Sequence, residues 1–152
     1  TVASTSGTAN IRQANELNEA RNLGMKVVPV KEHAEGFLMV DTGRAAAFIM
    51  DDILLYGLAA NAKDPSRYQV SGESLSIEPY AIMLRRDDPQ FKTVVDDTIK
   101  ALYASGEFEQ LYKRWYQSEL PPKGINLNVE MSDALKRVVA KPTDSGDVAD
   151  YQ

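Results

Sequence analysis

The unbroken run of small and apolar residues from Ala45 to Met50 (AAAFIM), followed at once by Asp51 and Asp52, constrains the fold more than any other stretch. It is far too short for a membrane span, which needs about 20 apolar residues. It also lacks the apolar/polar alternation of a strand with one wet face. A run of this kind reads as a strand covered by helices on both sides, the hallmark of parallel sheets, whose strands are joined through helical crossovers. The chain around it should therefore alternate strand and helix.

It does. A short strand, Thr1 to Ser4, leads into a helix of about Thr8 to Leu23 with Ile11, Ala14, Leu17 and Leu23 on one side and Gly24 as its stop. Lys26 to Val30 reads as a second strand, with Pro29 implying a strand end or a gap in the ladder. His33 to Asp41 fits a short helix with Phe37, Leu38 and Val40 as its apolar side, closed by Gly43. After the apolar run comes a helix of about Asp52 to Ala60, then a polar loop containing Pro65, then Arg67 to Val70 as a short fourth strand. This order predicts an α/β fold with a mostly parallel sheet and helices on both faces.

In such sheets ligands sit beyond the carboxyl ends of the strands. Thr5 to Thr8, His33 and Asp51 each follow a predicted strand, so all should border one crevice. The turn Ser4-Thr5-Ser6-Gly7-Thr8 is a candidate anion socket, because the first N–H groups of a helix lack intrahelical partners and carry the positive end of the helix dipole. Its plainer reading is an N-cap by Ser6 or Thr8. Asp51 could cap the helix that follows, although Asp52 is better placed to do so, and a lone histidine opening a helix is commonly a surface or capping residue.

Several function classes drop out. The formal net charge of −5 argues against nucleic-acid binding, which calls for a basic face. The absence of cysteine removes disulfides, thiol catalysis and thiolate metal sites. Neither Asp51-Asp52 nor Asp87-Asp88 has the alternating oxygen ligands and glycine of a calcium loop, and Glu32-His33 lacks the second histidine of a zinc helix, so no metal or other cofactor is expected. No signal-peptide pattern opens the chain, so export would require that the start of the gene product lies upstream.

Beyond Tyr80 the character changes. Tyr80 to Arg86 (YAIMLRR) reads as a strand, and Asp88-Pro89 as an N-cap and first helical residue. The helix they start carries Phe91, Val94, Val95, Ile99 and Leu102 on one stripe and ends at Ser105-Gly106. A second helix places Phe108, Leu111, Tyr112 and Trp115 together, with Phe108, Tyr112 and Trp115 expected in the core. A closing helix follows Ser132, and Lys141 to Gln152 reads as a frayed polar tail.

The succession STSGT, KEHAEGF, Gly43-Arg44, AAAFIMDD, YAIMLRRDDPQF and a helix pair ending in Trp115-Tyr116 resembles the extracytoplasmic solute-binding proteins of polar amino-acid ABC importers. The stretch INLNVEMSDALK, with KEH and MDD, is similar to their glutamate/aspartate-binding branch. The resemblance covers roughly Thr1 to Thr143. It implies a type II periplasmic-binding-protein fold, a two-lobed clamshell in which residues 1–79 form the second lobe and residues 80–152 supply a crossover strand and C-terminal helices of the first lobe. The front half of lobe one, which in this family brings an arginine to the ligand α-carboxylate, has no counterpart here. The resemblance further implies that Thr5 and Thr8 bind a ligand carboxylate through hydroxyl and backbone N–H groups, that Asp51 receives the ligand ammonium, and that His33 donates to the side-chain carboxylate.

The expected function is periplasmic binding of L-glutamate or L-aspartate and delivery to a membrane permease, without catalysis. A sensor domain or a dehydratase-like enzyme on the same fold is the alternative. Because the strand that normally enters lobe two would precede Thr1, Tyr80 to Arg86 is expected to fill the gap in the sheet, within the chain or exchanged in a swapped homodimer.

Overall fold

The computed structural model describes residues 1–151 and divides into two compact units, Thr1–Val70 and Ser71–Gln152. The first is the α/β unit. Its elements are β1 (Val2–Thr5), α1 (Ala9–Ala20), β2 (Val27–Val30), α2 (His33–Asp41), β3 (Ala47–Ile49) and α3 (Asp52–Ala60). The strands form a parallel sheet in the order β2-β1-β3, with Ser4 opposite both Pro29 and Ile49 and Thr5 opposite Val30. The crossover from β1 to β2 through α1 and the one from β2 past β1 to β3 through α2 run in opposite directions across the sheet, so the usual right-handed connection puts α1 and α2 on opposite faces.

Burial follows position in the sheet. All four residues of β1 are buried, because it is the middle strand and has a helix on either side. The apolar run expected to be doubly covered is instead the edge strand β3, where Ala47 is exposed and Phe48 and Ile49 are half-buried. Pro29 is exposed on the other edge strand, where a missing N–H breaks no ladder. On the α2 face Ala3, Val30 and Ala45 form the core against Met39, Val40 and Phe48. Leu38, expected on that face, is 48% exposed. Gly36 allows the close approach of helix and sheet, since a Cβ there would lie 2.3 Å from Cε2 of Phe48.

The helix ends are set locally. Thr8 caps α1 by accepting from the Ile11 N–H. At its other end Asn22, with φ of 49°, takes the left-handed position expected for Gly24, with the Asn22 and Leu23 N–H groups bonded to Glu19 and Asn18 carbonyls. Gly43 does the same for α2, with Gly43 and Arg44 donating to Val40 and Met39. No fourth strand forms at Arg67 to Val70: Pro65–Arg67 is a 3-10 turn, and Tyr68 packs on Phe37 at 4.8 Å while its hydroxyl donates to Asp41. The tilted ring contact and that hydrogen bond hold the segment against α2 rather than in the sheet.

The second unit is helical among its described residues: α4 (Pro89–Ala104), α5 (Glu107–Tyr116), α6 (Asp133–Ala140) and a 3-10 turn at Val148–Tyr151. Asp88 caps α4 by accepting from Phe91, Gly106 with φ of 75° separates α4 from α5, and Ser132 caps α6. Tyr112 is buried and Phe108 half-buried beside Tyr103, but Trp115 is 53% exposed rather than in the core, with Arg114 over its ring. The tail is not frayed at Tyr151, which is buried, donates to the Ser145 carbonyl and receives Arg137 on its own. Gln152 lies outside the described residues.

Tyr80 to Arg86 is not a strand. Residues 76–85 carry no regular structure, and β1 and β3 pair only within the three-stranded sheet. An apolar run makes a strand only where a neighbouring edge supplies ladder hydrogen bonds, and this segment joins no sheet. Within this chain the segment therefore does not fill a gap in the sheet, and nothing in the structure supports the swapped homodimer. No helix among the described residues is long and apolar enough to cross a membrane.

Candidate functional site

The carboxyl end of the sheet gathers the four residues singled out in the sequence. Thr5 ends β1, Thr8 closes the turn after it, His33 opens α2 three residues beyond β2, and Asp51 stands between β3 and α3. Because β1 is central and in register with both neighbours, the turns beyond all three strands emerge along one edge. The hydroxyl of Ser4 donates to the Ile49 carbonyl at 2.9 Å, fixing β3 against β1 one residue before the site begins.

The turn after β1 is an ordered scaffold. The Ser6 N–H donates to the Val30 carbonyl at 2.8 Å, which ties it to β2, and Gly7 takes φ of 76°, a conformation that favours glycine. The Thr8 hydroxyl donates to the Thr5 carbonyl at 2.7 Å and accepts from Ile11. Its proton is therefore committed within the chain, and Thr8 offers an incoming anion its backbone rather than its hydroxyl. Ala9 and Asn10, the first two helical residues, have N–H groups without intrahelical partners, as helix geometry requires. These and the helix dipole make this edge attractive to negative charge.

Thr5 and His33 are joined. Thr5 Oγ1 and His33 Nδ1 lie 2.7 Å apart, with Thr5 buried and His33 half-buried. If the hydroxyl donates, the neutral ring carries its proton on Nε2; if Nδ1–H donates, the hydroxyl proton is left over. Either arrangement leaves one donor for a ligand oxygen. The pair has the same polarity as the end of α1.

Asp51 supplies the opposite charge. It occupies the N-cap position of α3, yet its side chain makes no capping bond. Instead its Oδ1 accepts from Nδ2 of Asn10 at 2.9 Å. Asp52, expected as the cap, is the first helical residue and accepts from the adjacent Ile53 N–H. Asn10 was not recognised in the sequence. The available signal was an amide side chain in the first turn of the helix that follows the candidate socket.

The edge thus places donors and a carboxylate side by side, the arrangement needed to hold an anion and a cation of one small molecule together. A separate groove of ≈ 650 Å³ is lined entirely by residues of the second unit, among them Tyr103, Tyr112, Lys113 and Glu130, and includes none of these groups.

Comparison with known proteins adds the lineage. The chain is 46% identical over 143 residues to the L-glutamate/L-aspartate-binding protein of Pseudomonas aeruginosa, a match spanning 94% of this chain and 47% of that protein. The glutamate/aspartate import solute-binding protein of Escherichia coli is 43% identical over the same shares. This chain is a homologue of the solute-binding proteins. It spans about half the length of the curated relatives it matches. A more distant relative, 26% identical over 93 residues, is the ABC transporter glutamine-binding protein GlnH of Bacillus subtilis. No protein-family model matches the chain.

Proposed function

We propose that residues 1–79 are the second lobe of an extracytoplasmic, periplasmic amino-acid-binding protein that captures L-glutamate or L-aspartate and delivers it to the permease of an ABC importer. Residues 80–152 then belong to its first lobe. The observation that carries the reading is the convergence of the α1 amino end, the Thr5–His33 pair and Asp51 on one sheet edge. An acidic amino acid has two carboxylates and one ammonium. The α1 end receives one carboxylate, the Thr5–His33 pair the other, and Asp51 the ammonium through a charge-assisted hydrogen bond. An amino acid whose side chain has no oxygen acceptor leaves the spare donor of the Thr5–His33 pair unmatched, which disfavours apolar ligands. The printed names of the glutamate/aspartate relatives support the same ligand class. The chemistry is capture, with closure of the first lobe over this edge completing the enclosure.

The test is calorimetry with L-glutamate and L-aspartate on a polypeptide of the relatives' full length that carries this sequence. Asp51→Ala is expected to abolish measurable binding while leaving the melting temperature unchanged. Retained affinity would remove Asp51 from the site.

A further inference from the structure

We infer that Asn10 is a positioning residue that aims the Asp51 carboxylate at the ligand ammonium; this rests on the reading of Asp51 given above. An aspartate at an N-cap normally turns its carboxylate onto the N–H groups of its own helix. Asp51 has that position on α3 and makes no such bond. Its carboxylate is engaged across the edge by the side chain of Asn10, the second residue of α1, from 41 positions away in sequence. Both residues are half-buried, so the contact is partly sheltered from water.

The chemistry of the partner matters. A lysine or arginine at this position would neutralise Asp51 and compete with the ligand ammonium. A primary amide instead donates one directional hydrogen bond and leaves the full negative charge in place. Because Asn10 lies in the first turn of the helix whose amino end attracts a carboxylate, it also fixes the spacing between the anion-binding and cation-binding parts of the site.

The experiment compares L-glutamate with glutarate, which keeps both carboxylates and lacks the ammonium, in a polypeptide of the relatives' full length. Asn10→Ala is expected to weaken L-glutamate about tenfold, the scale of a hydrogen bond to a charged group, and to leave glutarate affinity unchanged. Asn10→Ser, which keeps a polar side chain in the first turn but cannot reach Asp51 in the same way, is expected to do the same and serves if the alanine variant folds poorly. Equal weakening of both ligands would assign Asn10 a merely structural part in α1, and no change in either would remove it from the site; both results overturn the inference. Asp51→Ala measured in parallel separates the two readings. If that variant loses L-glutamate while Asn10→Ala does not, only the positioning role fails; if it keeps L-glutamate, the ammonium assignment itself fails.

Discussion

At the scale of single residues, Gly36 shows how a side chain that is absent can decide packing. Alanine in the middle of a helix ordinarily stabilises it by about 1 kcal/mol relative to glycine. Here the added Cβ would meet three atoms of the Phe48 ring at 2.3 to 2.8 Å. The ring is held between α2 and the sheet and cannot swing aside as a flexible chain end would. Gly36→Ala is therefore expected to destabilise the protein by about 1 to 3 kcal/mol, the usual cost of overpacking, as read by urea unfolding. An unchanged or raised midpoint would mean that the ring moves freely. Residue-level features of this local kind were the most readable in the sequence: Thr8 and Asp88 as caps and Gly43 as a helix stop follow from chemistry confined to one turn. Asn22 was overlooked because Gly24 stood two positions away, and asparagine tolerates the left-handed region only somewhat less well than glycine.

At the scale of elements, legibility depended on whether neighbours were fixed by the same stretch of chain. The strand–helix alternation up to Ala60 came through because each crossover is short and amphipathic. Which strand lies in the middle did not, since AAAFIM is more apolar than VAST yet occupies an edge. Tyr80 to Arg86 failed for a related reason, as a strand pattern does not create the edge it must pair with. In the helical unit, Lys92 joins α4 to the tail by pairing with Asp96 and with Asp144, both at 2.5 Å. The hydrogen bond and charge of Lys92 hold the Asp144 carboxyl below its ordinary value of 3.8, and the hydrogen bonds of Asp144 and Asp96 raise Lys92 above its ordinary 10.5. A lowered acid stabilises the fold above its unfolded value and ceases to as pH falls through the lowered one. A raised base stabilises below its unfolded value and ceases to as pH rises through the raised one. The attachment of the tail is thus expected to persist from about pH 4 to about pH 10 and to weaken on either side. Amide exchange around Tyr151 followed against pH would reveal this, and protection unaltered below pH 3 would assign the attachment to Tyr151 packing alone. Both partners are well exposed, so the effect on global stability is small.

For the whole molecule, the governing fact is that the span matches about half of each close relative. In the proposed reading the ligand is gripped from two lobes, and a span that matches half of a relative supplies only part of those contacts. Losing a buried carboxylate clamp costs about 2 to 5 kcal/mol, so this span by itself is expected to bind L-glutamate about a hundredfold more weakly, or worse, than a full-length polypeptide. Calorimetry that returned sub-micromolar affinity for the span would show the remaining contacts to be dispensable. The candidate site was legible to the extent that its groups follow strand ends, which placed Thr5, Thr8, His33 and Asp51 on one edge. Pairwise contacts were not, because Thr5–His33 and Asn10–Asp51 join residues far apart in sequence through rotamers that only the folded chain selects.

The bond from the Ser4 hydroxyl to the Ile49 carbonyl separates two jobs along the chain. Below it, a slip of even one residue would turn every side chain to the wrong face, so that part of the strand tolerates little change. Above it, substitutions alter what the turns present without disturbing alignment. A protein built on this frame can change what its turns present through a handful of replacements beyond Ser4 and inherit the rest intact.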